Sequence, residues 1–191
     1  EYPQDDFSFH DAGDLESGRW DLPSHEPIEG GAPDTISLLD DFGGRVWFQS
    51  KEHGRTFRSQ IDCDPTYDKG RKSGAYRLPV DTFSEHRADL VDLIEIDGVQ
   101  YDVNHGAIPY EYGAGDLLEF MGWYISEGSC RAGDGAYGEQ AEVTIHQKAE
   151  EYRDRIKALL DGMGINYFAH SEGITVSNRN LYEWCRDEMG A

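Results

Sequence analysis

Apolar positions along the chain follow two regimes. From Gly43 to about Val103 they come in short β-type runs, Arg45-Val46-Trp47-Phe48, Thr56-Phe57-Arg58 and Tyr76-Arg77-Leu78, which predict strands. Leu93 and Glu95 then alternate with Ile94 and Ile96, and Asp97-Gly98 followed by Val99-Gln100-Tyr101-Asp102-Val103 predicts a hairpin on a favoured two-residue turn. Pro109 and Gly113-Ala114-Gly115 read as a linker, after which the period lengthens. A helix is expected over 117–127, followed by a Gly/Ala-rich loop, a strand at 141–147 and a helix at 149–162 whose core face is Tyr152, Ile156, Leu159, Leu160 and Met163. Two short strands flank Ser171-Glu172-Gly173, and a closing helix, Asn180 to Met189, buries Leu181, Trp184, Cys185 and Met189. Residues 1–40 show neither period and read as an acidic extended tail. The expected fold class is α+β, in three segments: 1–40, a β-rich 41–112, and 113–191.

Within the third segment, Leu118, Met121, Tyr124 and Ile125 recur at helical spacing and predict a buried face. The helix carries a small residue, Gly122, at its middle and ends in Glu127-Gly128. A carboxylate in the last turn opposes the helix macrodipole, so it is a charge held at some cost. Carboxylate oxygens are also what a divalent cation takes as ligands.

The stretch Phe120-Met121-Gly122-Trp123-Tyr124-Ile125-Ser126-Glu127-Gly128 resembles the signature helix of the LAGLIDADG homing endonucleases, in the variant with Glu as the acid. The elements behind it are in the order of that family's half-domain, αββαββα with an antiparallel saddle-shaped sheet, and the resemblance covers roughly residues 113–191. It implies that two such helices pack side by side, with Gly122 allowing their backbones to approach. It also implies a site-specific double-strand DNA endonuclease using metal-assisted phosphodiester hydrolysis. In that reading Glu127 is catalytic and, with the backbone carbonyl of Ser126, holds Mg²⁺. Strand alternation then sends Val143 and Ile145 toward the helices and leaves Glu142, Thr144, His146 and Lys148, with Thr175 and Ser177, on the opposite face. The family lays that face in the major groove, and Arg131 and Lys148 would touch phosphates. One motif gives one acid. The resemblance therefore requires a homodimer or a second half-domain, and the chain, opening on Glu1, reads as cut from a longer product. Leu90-Val91-Asp92-Leu93-Ile94-Glu95-Ile96-Asp97-Gly98 matches the family's letters at more positions, but Asp92 would bury a charge at the helix crossing, so it is rejected.

Charge argues against nucleic acid before it argues for it. The chain holds 38 acids against 17 bases, a net charge of -21, and five of the bases are lysine. An acidic, lysine-poor surface is expected of a protein in concentrated salt, which points to a haloarchaeal or halophilic viral origin. The first forty residues alone hold eleven acids and one base, Arg19. Residues 45–87 reverse the balance, with Arg45, Lys51, Arg55, Arg58, Lys69, Arg71, Lys72, Arg77 and Arg87 against six acids, and offer a second candidate DNA-facing surface. Cys63, Cys130 and Cys185 are scattered and form neither a zinc motif nor a disulfide framework, so a reducing, cytoplasmic compartment is expected. No apolar stretch reaches membrane-spanning length, and no membrane partner is expected.

Two other readings remain open. Such endonuclease domains are often embedded in inteins, whose all-β splicing domain carries a Thr-x-x-His element; Thr82-Phe83-Ser84-Glu85-His86 is similar with one residue too many, making Thr82 and His86 splicing-like candidates in an internal intein piece. The other is a catalytically retired DNA-binding or structural module.

Overall fold

The structure, a computed structural model, describes residues 33–52, 54–69, 75–102, 106–135 and 138–190. The acidic residues 1–32, and Arg71, Lys72 and Val103, lie outside the described residues. The class is α+β.

The segment after Pro33 begins with strand β1, Thr35–Ser37, and a 3-10 turn, Leu39–Asp41. The expected tail therefore ends earlier than residue 40: β1 pairs antiparallel with β6, Glu111–Gly113, and Leu38 and Leu39 are buried. Strands β2 (Arg45–Ser50), β3 (Thr66–Tyr67), β4 (Ala75–Pro79) and β5 (Ile94–Gln100) form an antiparallel sheet in the order β3-β4-β2-β5.

Three expectations fail in this half, each for a tertiary reason. Thr56-Phe57-Arg58 lies in helix α1, Gly54–Gln60, where Phe57 is fully buried against Phe48 and Tyr76, with ring centroids 6.0 and 5.2 Å away. Packing of one aromatic side chain outweighs a β-type local preference. The Asp97-Gly98 hairpin is instead a bulge inside β5. Trp47 pairs with Gly98 and Phe48 with Ile96, so Asp97 is the extra residue, and Gly98 takes φ +126° beneath the Ile108 carbonyl. The supposed linker is neither free nor long. Tyr110 and Tyr112 are buried, and helix α3, Ala114–Glu127, starts directly after β6.

From α3 onward the order is β7 (Gly128–Gly135), β8 (Gly138–His146), α4 (Glu150–Gly162), β9 (Phe168–His170), β10 (Gly173–Ser177) and α5 (Arg179–Met189). The expected Gly/Ala loop is strand β7, paired antiparallel with β8 along its whole length. The second sheet runs β7-β8-β10-β9, all antiparallel. Ala141, Val143 and Ile145 of β8 and Ile174 and Val176 of β10 turn inward to Ile156, Leu160, Leu181 and Trp184 of α4 and α5. Alternation sends their neighbours outward.

One core runs through both sheets, from Val46, Phe48, Leu78 and Phe83 to Leu117, Phe120, Val143 and Leu181. Helix α5 fastens the halves with two buried asparagines. Asn178 caps α5, accepting from the Leu181 N–H at 3.1 Å, and donates its amide to the Gly106 carbonyl at 3.1 Å. Asn180 accepts from the Gly43 N–H at 2.9 Å. Among the described residues, no helix is long and apolar enough to cross a membrane.

Candidate functional site

Helix α3 has apolar residues on nearly every side, and the sheet selects which of them it covers. Leu117, Phe120 and Tyr124 are buried; Leu118 and Ile125 are 59% and 69% exposed. The expected buried face is thus corrected: only Tyr124 lies in the core and Met121 is half-buried, while Leu118 and Ile125 belong to an outer stripe with Gly115, Gly122 and Ser126. A side chain built on Gly122 would meet nothing within 4 Å. The stripe carries no charge. Its nearest charged neighbour, Glu119, is turned aside by Arg155 at 2.6 Å and by the Trp123 indole N–H at 3.3 Å, which holds its carboxyl below the usual range.

Glu127 ends α3 and is exposed, and no described residue pairs with it. Ser126 turns its hydroxyl back onto the Gly122 and Trp123 carbonyls at 2.9 and 3.2 Å. Gly128 stops the helix through close approach, since a Cβ there would lie 2.3 Å from the Tyr124 carbonyl oxygen. Its own backbone is extended, with φ −88° and ψ 159°, which leads the chain straight from the acid into β7.

The outward face of the second sheet begins there. Ser129 and Arg131 of β7, Glu142, Thr144 and His146 of β8, and Thr175 and Ser177 of β10 occupy it, with Ser129 opposite Thr144, Arg131 opposite Glu142 and Thr175 opposite Thr144. The polar side chains hold one another. Thr144 and Thr175 share a hydrogen bond of 2.9 Å, Ser129 and His146 one of 2.9 Å, and His170 and Thr175 one of 3.3 Å. Each hydroxyl keeps further bonding capacity, so the net orients the face without exhausting it. Beside it lies an open depression of about 440 Å³ lined by Glu142, Asn166, Tyr167, Phe168, Thr175 and Ser177.

The structure brings Arg131, Glu142, Thr144, His146, Thr175 and Ser177 onto this one face. Lys148 stands beyond β8, its ammonium 3.7 Å from Glu172. Tyr152, expected in the core, is 44% exposed and packs its ring 5.8 Å from Trp123. Thr82 and His86 sit one turn apart on helix α2, Val80–Leu90, rather than on the β element that a splicing role needs.

Of the nine bases in the stretch 45–87, four are held by described partners. Arg77 lies over Trp47 at 5.4 Å and 3.9 Å from Asp68, Arg87 pairs with Glu111 at 2.8 Å, Arg58 lies over Tyr76 at 5.8 Å, and Lys51 reaches the Val91 and Asp92 carbonyls at 3.4 Å.

Sequence reasoning missed Ser129, Phe168 and His170. Ser129 fell in the supposed loop, and β9 is too short for alternation to show. The chain matches no family and no curated protein.

Proposed function

We propose that the chain is one half of a site-specific double-strand DNA endonuclease of the LAGLIDADG type, completed by a second copy or a second half-domain packed on α3. The reading is supported by one juxtaposition: helix α3 carries an uncharged, exposed stripe centred on Gly122 and ends in Glu127, a carboxylate that no described residue pairs, at the head of a polar strand row.

The donor chemistry suits a divalent cation. An exposed carboxylate and a backbone carbonyl are hard oxygen ligands of the kind Mg²⁺ takes. The resemblance gives one acid per half-domain, and among the described residues no three His, Cys, Asp or Glu side chains gather. Glu127 from each of two abutting helices, with the Ser126 carbonyls, would hold the ion at the seam. Bound there, Mg²⁺ would lower the pKa of water and stabilise the leaving oxygen.

The chain's own residues do the rest. Gly122 sets how closely the helices approach and hence the separation of the acids. Ser129, Thr144, Thr175 and Ser177 present donors and acceptors to base edges, while Arg131 meets a phosphate. No lysine lies in the β7-β8 pair to shuttle a proton. The acidic surface fits a salt-rich cytoplasm.

The test is plasmid or library cleavage with Mg²⁺ in high salt. Glu127→Gln is expected to abolish cutting while leaving duplex binding in place. Equal cutting by the variant would sink the proposal. Binding without cutting by the wild type would leave the retired-module reading instead.

A further inference from the structure

We infer that Phe168 selects for thymine in duplex DNA by packing its ring against the base's 5-methyl group. The inference rests on the proposed DNA-reading role of the same sheet face and goes beyond it in naming the residue and the base.

Phe168 lies on the outward side of β9, opposite Thr175, and is 70% exposed. The row it heads continues across the sheet through Thr175, Thr144 and Ser129, all short hydroxyl side chains. It is therefore an apolar projection on a face otherwise built for hydrogen bonds. Its position is held: the ring stacks on His170 with centroids 6.3 Å apart and planes at 24°, and His170 is fixed by the Thr175 hydroxyl at 3.3 Å and the Glu172 N–H at 3.4 Å.

The depression beside the ring sets this apolar wall against the carboxylate of Glu142, the amide of Asn166 and the hydroxyls of Thr175 and Ser177. The edge of a base pair in the major groove offers the same mixture of polar atoms and a single apolar feature, the thymine methyl. Phe168 is the one ring on the described outward-facing side chains of these four strands that carries no polar atom, which suits an apolar contact with a methyl group, whereas His146, and His170 beside it, can donate and accept.

The experiment is selection from a randomised duplex library by the wild type and by Phe168→Ala, without divalent cation so that nothing is cut, followed by affinity measurements on the selected duplex. The wild type is expected to fix a thymine at a position that Phe168→Ala leaves degenerate. Replacing that thymine by deoxyuridine, which lacks only the methyl group, is expected to weaken wild-type binding about fourfold, the worth of one buried methyl, and to leave Phe168→Ala unaffected. Deoxyuridine needs no variant to fold, so the test survives a damaged mutant. Identical selected sequences for both proteins with no deoxyuridine effect would overturn the role of Phe168 and leave DNA reading standing. Enrichment of no duplex by the wild type would overturn both. Binding only to the separated strands would make Phe168 a stacking platform and overturn the methyl contact.

Discussion

The outer stripe of α3 gives the sharpest quantitative expectation. Full burial of a Leu or Ile side chain stabilises by about 1.5–3 kcal/mol. Leu118 and Ile125 retain 59% and 69% of their exposure, so each still holds about 1–2 kcal/mol, and four such side chains across a two-fold seam hold about 4–8 kcal/mol. Association costs at least about 4 kcal/mol in lost freedom. The net is about 0–4 kcal/mol, so pairing through α3 is weak, with a dissociation constant expected at about 1 mM or above in the free chain, and tightened by DNA that touches both copies. Ile125→Glu removes about 1–2 kcal/mol per copy and sets two like charges at the seam, so self-association should weaken about 30-fold or more. Its effect on the monomer should stay within about 0.5 kcal/mol, because the side chain is already in solvent. Gly122→Leu separates the two quantities further. With open space at its Cβ, it should raise monomer stability by up to about 1 kcal/mol through helix propensity while blocking the close approach. Sedimentation velocity carried to millimolar concentration reads the first quantity, and urea unfolding the second. Self-association unchanged in both variants would refute the stripe as a seam, and a large loss of stability in Ile125→Glu would show that the side chain is buried in the monomer.

Asn180 is 1% exposed and its carbonyl is the partner of the Gly43 N–H; Asn180→Ala should cost about 1–2 kcal/mol in urea unfolding, at the lower end because the buried Asn180 amide nitrogen has no partner to lose. The hydrogen bond with Cys185, joined by the Tyr124 hydroxyl and opposed by burial, pulls the Cys130 thiol down to about 7, whereas burial beside Asp62 and Asp64 pushes Cys63 up. Iodoacetamide labelling followed by mass spectrometry should therefore show Cys130 reacting with a midpoint near pH 7 and Cys63 lagging, and equal rates at neutral pH would contradict it. Because the folded value at Cys130 lies below the unfolded one, its stabilisation is complete above about 8.5 and is lost as pH falls through about 7. Arg131 is the sole base on the outward strand face among the described side chains, so a two-copy complex should show a slope of about −2 for log affinity against log salt; a slope beyond about −5 would place the phosphate contacts elsewhere.

The parts of the fold that could be read in advance are those where a single face is buried. Val143 and Ile145 against Thr144 and His146, and Ile156, Leu159 and Leu160 on α4, repeat with the period of their element because one side meets the core. Helix α3 defeats that logic, since a helix apolar on nearly all sides announces burial without saying which side is buried. The spacing of Leu118 and Ile125 is as helical as that of Leu117 and Tyr124, and only the packed sheet tells the two pairs apart. The bulge at Gly98 is hidden for a related reason: Asp-Gly serves a hairpin turn and a positive-φ bulge equally, and only the strand partners Trp47 and Phe48 decide between them. At the site, the position of Glu127 at a helix end is legible because Gly128 comes next. The strand beyond Gly128 is not legible, since a run of Gly, Ser and Ala is held extended by its neighbour β8 rather than by its own preferences.

The acidity of the chain and the proposed substrate are reconciled by the composition of the outward strand row. The chain carries a net -21, but along that row Arg131 faces Glu142 in register while the remaining described side chains are hydroxyls, imidazoles and one phenyl ring. A face of that composition neither attracts nor repels a polyanion strongly. At molar salt the screening length is about 3 Å, so charges elsewhere on the molecule act only on their immediate neighbours. Under such conditions a row of lysines would also bring little affinity, because releasing counterions into concentrated salt yields little free energy. Hydrogen bonds to base edges and contact with an apolar methyl group lose far less. A nearly neutral reading face is then what a DNA-binding protein adapted to salt needs, and the same face would bind poorly if the bases were not presented to it in the groove.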